Sequence, residues 1–194
     1  MKHLLILAAC LLTLSGNVWA AANSLELNFN DDSAQARLGM IINQDAYGTS
    51  LFDFRGMFND ENELNGWMVS AGLDFIGEPG NVPGLELGIV ADLKVGESDV
   101  EDSDFGAAGV GGLVRYFPPA LGGFGFAGRL VYSPKIFTML EAERLTEFSG
   151  RVGYVITPKI GVHVEYQKIE VEYDNILGEV DVDDEVRVGF EARF

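Results

Sequence analysis

The sequence predicts an all-β chain that closes into an antiparallel, up-and-down transmembrane β-barrel of about ten strands. Three observations support this fold class. Apolar residues occupy alternate positions in ten segments, turn-forming residues separate these segments, and the last segment ends the chain on Phe194. An apolar period of two is the pattern of a strand that separates two unlike environments.

The chain begins with the three parts of a secretory signal peptide. A short, positively charged segment precedes an apolar stretch over residues 4–14. The cleavage site that follows is Val18-Trp19-Ala20, which has small residues at the positions that signal peptidase requires. We therefore expect a signal peptide over residues 1–20 and a barrel over residues 21–194. Cleavage after Ala22 is the alternative.

Composition narrows the classes of function. The net charge is −17, with 30 acidic and 13 basic residues, so the chain lacks the basic surface that binds nucleic-acid phosphates. No segment after the signal peptide has the ~18–20 consecutive apolar residues that a membrane-spanning helix needs, so a membrane span would consist of strands. The single cysteine, Cys10, lies in the signal peptide, and we expect no disulfide in the mature protein.

The ten segments share a strict alternation of apolar and other residues. In chain order they are 25–29, 34–42, 52–58, 67–75, 85–95, 108–116, 124–132, 148–156, 160–166 and 186–194. The first two form an opening hairpin around Asn30-Asp31-Asp32-Ser33, and the next two enclose the polar turn 59–63. If the opening hairpin does not span, the barrel has eight strands.

The later connections alternate in kind. Connections with Pro and Gly and little charge take turns with longer acidic ones; the first kind is 77–84, 117–123 and 157–159, and the second is 97–104, 133–145 and 174–185. Outer-membrane barrels have short periplasmic turns, longer external loops and an even number of strands. The sequence therefore predicts external acidic loops and two periplasmic chain ends. Together with the turns 30–33 and 59–63, these loops hold 18 of the 30 acidic residues.

The second face of these strands is polar and carries seven of the eight arginines. On a lipid-facing wall each arginine near the midplane would cost about 2–4 kcal/mol, so this face is expected to line a lumen. Arginine offers a rigid fork of donors that satisfies several carboxylates in a confined space. The predicted lumen network is Arg37, Arg55, Arg115, Arg129, Arg151, Arg187, Asp53, Glu86, Asp92, Glu165 and Glu191. The same face also carries Glu26, Asp74, Glu147, Lys94 and His163.

The aromatic residues on the apolar face fall near strand ends, as in the two girdles of a membrane barrel. We expect one girdle at the periplasmic rim, from Phe75, Tyr116, Phe117, Phe124 and Phe194. We expect the other at the outer rim, from Phe58, Trp67, Tyr132, Phe148 and Tyr166. A soluble, secreted, lipocalin-like barrel, with its apolar face inward, is the alternative that alternation alone leaves open.

The last strand resembles the C-terminal assembly strand of outer-membrane barrels. Val186, Val188, Phe190 and Phe194 share one face of it, and a bare Phe at a fraying chain end would be exposed in a soluble protein. The partners this implies are the barrel-assembly machinery, outer-membrane lipid and lipopolysaccharide.

Four short motifs resemble the YfaZ family of bacterial outer-membrane proteins. They are Gly106-Ala107-Ala108-Gly109-Val110-Gly111-Gly112-Leu113, Tyr132-Ser133-Pro134, Arg151-Val152-Gly153-Tyr154 and Val164-Glu165-Tyr166. The resemblance is clearest over residues 104–173. It implies a small outer-membrane barrel and supplies no catalytic residues.

No enzyme, cofactor or structural metal is expected. The one histidine of the mature chain, His163, lies near the periplasmic turn, whereas barrel hydrolases place their site near the outer rim. Oxygen-rich loops could hold Ca²⁺ or Mg²⁺ weakly, although solvated loops are the simpler interpretation. Their acids are Asp99, Glu101, Asp102, Asp104, Asp181, Asp183, Asp184 and Glu185.

The expected protein is a monomeric barrel of the cell outer membrane, whose lumen is filled by arginines and carboxylates. We expect a structural or surface-interaction role. A narrow porin-like channel is the first alternative, and the soluble secreted barrel is the second.

Overall fold

The computed structural model describes residues 23–60, 66–98, 103–140, 142–173 and 179–194, so the predicted signal peptide lies outside the described residues. Eleven strands make up almost all of it. They are β1 (Asn23–Phe29), β2 (Ser33–Gln44), β3 (Thr49–Asn59), β4 (Gly66–Gly77), β5 (Leu85–Ser98), β6 (Ser103–Tyr116), β7 (Phe124–Ser133), β8 (Thr138–Leu140), β9 (Ala142–Thr157), β10 (Ile160–Tyr173) and β11 (Glu179–Arg193).

Ten long strands form one closed antiparallel wall. Each pairs with its neighbours in chain order, β7 pairs with β9, and β1 pairs with β11 through partners such as Leu27 and Phe190. Closure leaves no sheet edge with unpaired backbone groups in the wall, which a bilayer core requires. The predicted antiparallel barrel of ten strands is confirmed. The eight-strand alternative is wrong, because β1 and β2 belong to the wall.

The short strand β8 was not predicted and lies inside the predicted loop 133–145. β7 ends at Ser133, well before the far end of β6, and β8 pairs with the part of β6 that β7 leaves open, through Phe105 and Leu140. Three residues are too few to show an apolar period. Leu140 adopts a positive φ of 64° where the chain leaves β8.

The two ends of the barrel differ. The end that holds residues 23 and 194 is here called the termini end, and the opposite end the loop end. At the loop end several strands run beyond their predicted bounds: β10 reaches Tyr173 and β11 already begins at Glu179. Much of the predicted acidic loop 174–185 is therefore strand.

The apolar residues change face along β10. Val162 and Val164 point outward and are exposed, whereas Ile169 and Val171 point inward and are fully buried. On the outer face Lys168 forms ion pairs with Glu170 at 2.7 Å and with Asp181 at 3.4 Å. The hydrogen bond with Glu170 raises the pKa of Lys168, so the lysine stays charged. This change of face is what a strand needs when it leaves a membrane and enters water.

The outer surface below this level is an apolar band. On β5 it runs from Leu85 to Val95, which is about 34 Å of strand at ~3.4 Å per residue. A tilt of ~40° reduces this to a height of roughly 26 Å, close to the ~25 Å apolar band of membrane barrels. A soluble barrel would expose no such continuous patch. Among the described residues, no helix is long and apolar enough to cross a membrane.

Aromatic residues border this band, and some carry their polar tips toward acids of the loop end. Trp67 donates its indole N–H to Glu97 at 2.9 Å, and the Tyr166 hydroxyl donates to Asp184 at 2.8 Å. Phe117 is not part of the outer surface, contrary to expectation. Its ring lies inside the barrel mouth, where a Cβ added to Gly125 would come within 2.2 Å of it.

Candidate functional site in the barrel lumen

The middle of the lumen contains one continuous chain of ion pairs, here called the central network. It consists of four cations and four anions, in the order Asp53, Arg37, Asp74, Arg129, Asp92, Lys94, Glu147 and Arg55. The charges cancel, so the network introduces no net charge into the barrel interior.

The central network crosses the lumen. Arg55 of β3 donates two hydrogen bonds to Glu147 of β9, at 2.6 and 2.9 Å, and these strands are not neighbours. Arg129 of β7 likewise reaches Asp74 of β4 at 3.1 Å and Asp92 of β5 at 3.3 Å. Lys94 joins Asp92 at 2.6 Å to Glu147 at 3.0 Å. These contacts cross-brace opposite walls.

A second group, here called the seam network, joins the first strand to the last ones. Arg151 of β9 binds Glu26 of β1 with two donors, at 2.8 and 2.5 Å, and donates its Nε–H to Glu165 of β10 at 2.7 Å. Asn28 lies beside it and accepts a hydrogen bond from His163 Nε2 at 2.6 Å. The seam between β1 and β11 is therefore bridged by side chains as well as by backbone.

A third cluster lies nearer the loop end. Arg187 donates to Asp183 through both terminal nitrogens, one at 2.9 Å, and its Nε–H donates to Ser33 Oγ at 2.6 Å. Asn59 also donates to Asp183, at 3.2 Å. Asp183 lies four residues before Arg187 on β11 and in phase with it, so alternation places both in the lumen, and the predicted place of Asp183 on a solvated loop is wrong.

Above these polar layers the lumen becomes apolar. The cluster, here called the loop-end plug, consists of Met57, Met68, Phe105, Ala107, Ala142, Leu145, Ile169, Val171, Tyr173 and Val182. Phe105 and Leu145 have no exposed surface, and Met68 is equally buried. Side chains from β3, β4, β6, β9, β10 and β11 meet here, so the described part of the barrel is filled at this level.

The termini end is open instead. A cavity of about 620 Å³ enters the barrel there, lined by residues of the mouth such as Ser24, Phe117 and Arg193, and it ends against Arg37 and Arg151. At its mouth Arg115 lies 3.6 Å from Glu86, and Arg193 donates to Glu191 at 2.9 Å. The lumen is thus packed at one end and hollow at the other.

Three residues of the seam network have the atom types of a metal site. One side-chain atom each of Glu26, His163 and Glu165 lies within 4.8 Å of the other two. Arg151 already occupies both carboxylates, and His163 Nε2 is hydrogen-bonded to Asn28. A dication would have to displace a buried guanidinium, so an internal ion-pair cluster explains the geometry better.

The sequence predicted the members of the lumen network but not their pairing, and eight of these residues meet directly as four pairs. The direct contacts are Arg37–Asp53, Arg129–Asp92, Arg151–Glu165 and Arg115–Glu86. Arg55 pairs instead with Glu147, Arg187 with Asp183, and Glu191 with Arg193. Inward alternation was the signal for Glu147, and the same alternation, continued back from Arg187 through Glu185, would have indicated Asp183.

The other predicted residues have simpler surroundings. Val186, Val188, Phe190 and Phe194 lie on the outer face and are exposed, and their role in assembly stays a prediction. Asp99, Glu101 and Asp102 of the predicted cation-binding loop lie outside the described residues.

Comparison with known proteins supports the family. No curated protein sequence matches the chain. Among solved structures, a chain from "Unveiling the Mechanism Behind the in-meso Crystallization of Membrane Proteins" is 9% identical, with a TM-score of 0.47, and the match covers 90% of this chain and 83% of that one. The "KdgM porin" is 11% identical, with a TM-score of 0.43, over 89% of this chain and 99% of that one. The fold therefore rests on the strand pairing described above. The model of the YfaZ precursor family matches residues 1–194, and the chain belongs to that family.

Proposed function

We propose that the protein is an exported, monomeric barrel of the bacterial outer membrane that does not conduct, with a structural or surface-interaction role. The observation that carries this proposal is the combination of an apolar outer band with a lumen closed by the loop-end plug. A precursor family is consistent with export by a signal peptide.

The charge distribution supports an orientation with the loop end outside the cell. The outer face of the loop end carries ion pairs such as Lys168–Glu170 and Lys168–Asp181, which suit water and the phosphate-bearing outer leaflet. Both chain termini then lie in the periplasm, where the barrel-assembly machinery would meet the C-terminal strand. Lipopolysaccharide is the expected partner of the outer girdle.

Three experiments test this proposal. A folded barrel should migrate faster than its heat-denatured form on a gel and should be recovered from the outer-membrane fraction only with detergent. Recovery from the periplasm without detergent would instead favour the soluble secreted barrel. In planar bilayers, the purified protein should show no steady single-channel steps.

A narrow porin-like channel is the second candidate, and the open cavity favours it. A cavity of about 620 Å³ already enters the lumen, and within the described residues the central network and the plug separate it from the loop end. Steady, reproducible conductance steps from the purified wild-type protein would select this candidate over the closed barrel.

We also propose that the protein has no enzymatic activity. His163 is held by Asn28 and lies near Glu26 in a charge cluster that Arg151 occupies, so the one histidine among the described residues is not a free base beside a nucleophile. Hydrolysis of an ester or peptide substrate by the purified barrel, lost on replacing His163 with Gln, would contradict this.

A further inference from the structure

The cavity at the termini end has the form of a ligand pocket. Its volume of about 620 Å³ lies in the ~300–1,000 Å³ range of small-molecule sites. Arg37, Asp74 and Arg129 of the central network form part of its floor, and the loop-end plug lies beyond them. A molecule that enters would meet a closed end within the described barrel.

At the floor of the cavity the arginines are more exposed than their carboxylates. The Arg37 side chain is 20% exposed, whereas its partners Asp53 and Asp74 are 6% and 1% exposed. Arg151 shows the same order with Glu26 and Glu165. At these two arginines the acids lie behind the guanidinium groups, so a ligand at the cavity floor would meet N–H donors first. At the mouth the Glu86 side chain, 39% exposed, is as accessible as its partner Arg115.

Arg115 is the least satisfied of these arginines. Its side chain is 35% exposed, and within the described residues its ion pair is a single one with Glu86 at 3.6 Å. This separation exceeds the ~2.7–2.9 Å of a charge-assisted hydrogen bond. Arg115 therefore keeps donors that are available to an anion, near the entrance of the cavity.

The same cavity has an apolar wall. Leu51, Ile76 and Leu113 line it, and they pack on the buried Val90 and Val131. This apolar wall is formed by β3 to β7, so it lies beside Arg115 of β6. An apolar surface beside available guanidinium donors suits a molecule with both an anionic and an apolar part.

We propose that this cavity binds a small amphiphilic anion, whose carboxylate or phosphate group contacts Arg115 and Arg37 while its apolar part contacts Leu51, Ile76 and Leu113. The net charge of −17 does not oppose this. Most predicted loop acids lie at the other end of the barrel, farther away than the Debye length of ~8–10 Å. One part of this inference rests on the proposed function, namely that the ligand enters the cavity from the periplasm.

Calorimetry on the folded barrel in a non-ionic detergent tests the proposal. Phenyl phosphate and phenylacetate are soluble probes with the required two parts, and inorganic phosphate and benzyl alcohol each supply only one. We expect saturable binding of one molecule of phenyl phosphate or phenylacetate per barrel, tighter than that of either partial probe. The proposal is wrong if neither two-part probe binds, or if benzyl alcohol binds as tightly.

Three variants locate the site. Arg115→Gln should weaken binding by about tenfold or more, because a charge-assisted hydrogen bond is lost. Glu86→Gln should tighten binding, since it removes the carboxylate that competes for Arg115. Arg144→Gln removes an arginine that pairs with Glu172 on the loop-end extension and should change nothing. Equal binding by wild type and Arg115→Gln would overturn the assignment.

The side of entry is tested separately. The mature chain has no cysteine if residues 1–20 are removed, so Glu86→Cys introduces a unique thiol at the cavity mouth. A maleimide too large to pass porins should label it only after the outer membrane is permeabilised. Labelling of intact cells would contradict the orientation in the proposed function, while the calorimetric result would still decide whether the cavity binds anions.

Discussion

Arg187 and Asp183 show what buried charges do in this lumen. Both side chains are almost completely buried, and each is the main ionic partner of the other. Bringing two ions out of water costs several kcal/mol per ion, which their attraction roughly offsets. The pair therefore adds little net stability when intact, but removing one member leaves the other without compensation.

Replacing Arg187 with Met should lower the free energy of unfolding by about 3–5 kcal/mol, because Asp183 stays buried without its counter-ion. The double variant Arg187→Met/Asp183→Asn should recover much of this loss. Urea titrations in detergent, followed by the gel shift of the folded barrel, measure both. If the double variant is less stable than the single one, the pair is not an isolated charge unit.

Arg129 offers a similar test in the central network, where it bridges Asp74 and Asp92. Arg129→Met should destabilise the barrel by about 3–5 kcal/mol. The matched change at the exposed Arg144 should cost only ~0–1 kcal/mol. Unchanged melting of the Arg129 variant would indicate that water, rather than a packed ion network, surrounds these carboxylates.

At the scale of elements, glycine allows side chains from neighbouring strands to meet where a larger residue would collide with them. In β11 a Cβ on Gly189 would lie 1.8 Å from Asn28 Oδ1 and 2.4 Å from His163 Nε2. The glycine thus leaves room for the Asn28–His163 hydrogen bond of the seam network. On the outer face, Gly150 of β9 meets nothing closer than 3.6 Å.

Gly189→Ala should therefore destabilise the barrel by about 1–3 kcal/mol through overpacking, whereas Gly150→Ala should be neutral or slightly stabilising. Thermal unfolding of both variants in the same detergent compares them directly. Equal melting temperatures would show that the seam can rearrange around an added methyl group.

The final strand carries a prediction about assembly. Phe194 lies on the outer face at the termini end and is 63% exposed. Deleting it should reduce the amount of folded barrel in the outer membrane more than it reduces export to the periplasm. Phe194→Tyr, which keeps an aromatic ring there, is the control. Normal assembly of the deletion variant would contradict a role for this residue.

The alternation of apolar and polar residues was sufficient to predict the ten strands of the wall, because every second residue of a strand that spans a lipid bilayer has to be apolar. The same alternation did not predict the strand ends where the apolar residues change from the outer to the inner face. Along β10 the apolar residues move from the outer to the inner face between Tyr166 and Ile169, so a search for one constant phase ended the strand too early. Partners such as Arg55 and Glu147 were not predictable, because strand closure and stagger decide which residues meet across the lumen.

At the scale of the whole molecule, the lumen has an apolar, fully packed end and a hydrated, charged one. Large apolar side chains at the loop end exclude water from a passage that polar side chains alone would leave wet. Met57, Met68 and Phe105 contribute much of this packing, and all three are buried. The plug is therefore the part of the barrel that we expect to prevent conduction.

The triple variant Met57→Ala/Met68→Ala/Phe105→Ala should produce steady conductance steps in planar bilayers, since it removes three large side chains from the plug. The gel shift of the folded barrel checks that the variant still closes. A folded variant that conducts no better than wild type would show that the central network alone blocks the lumen.

The seam between β1 and β11 has a consequence for the order of folding. Glu26 needs Arg151, Asn28 needs His163, Gln35 donates to Gln167 at 2.7 Å, and Ser33 accepts from Arg187. These four residues of the first hairpin thus each have a side-chain partner in the last third of the chain. A nascent barrel that lacks those strands exposes unpaired carboxylates and amides on its first hairpin, which disfavours entry into lipid. We therefore expect insertion to be coupled to completion of the chain, and truncated proteins to be kept out of the membrane by the polarity of their own first strands.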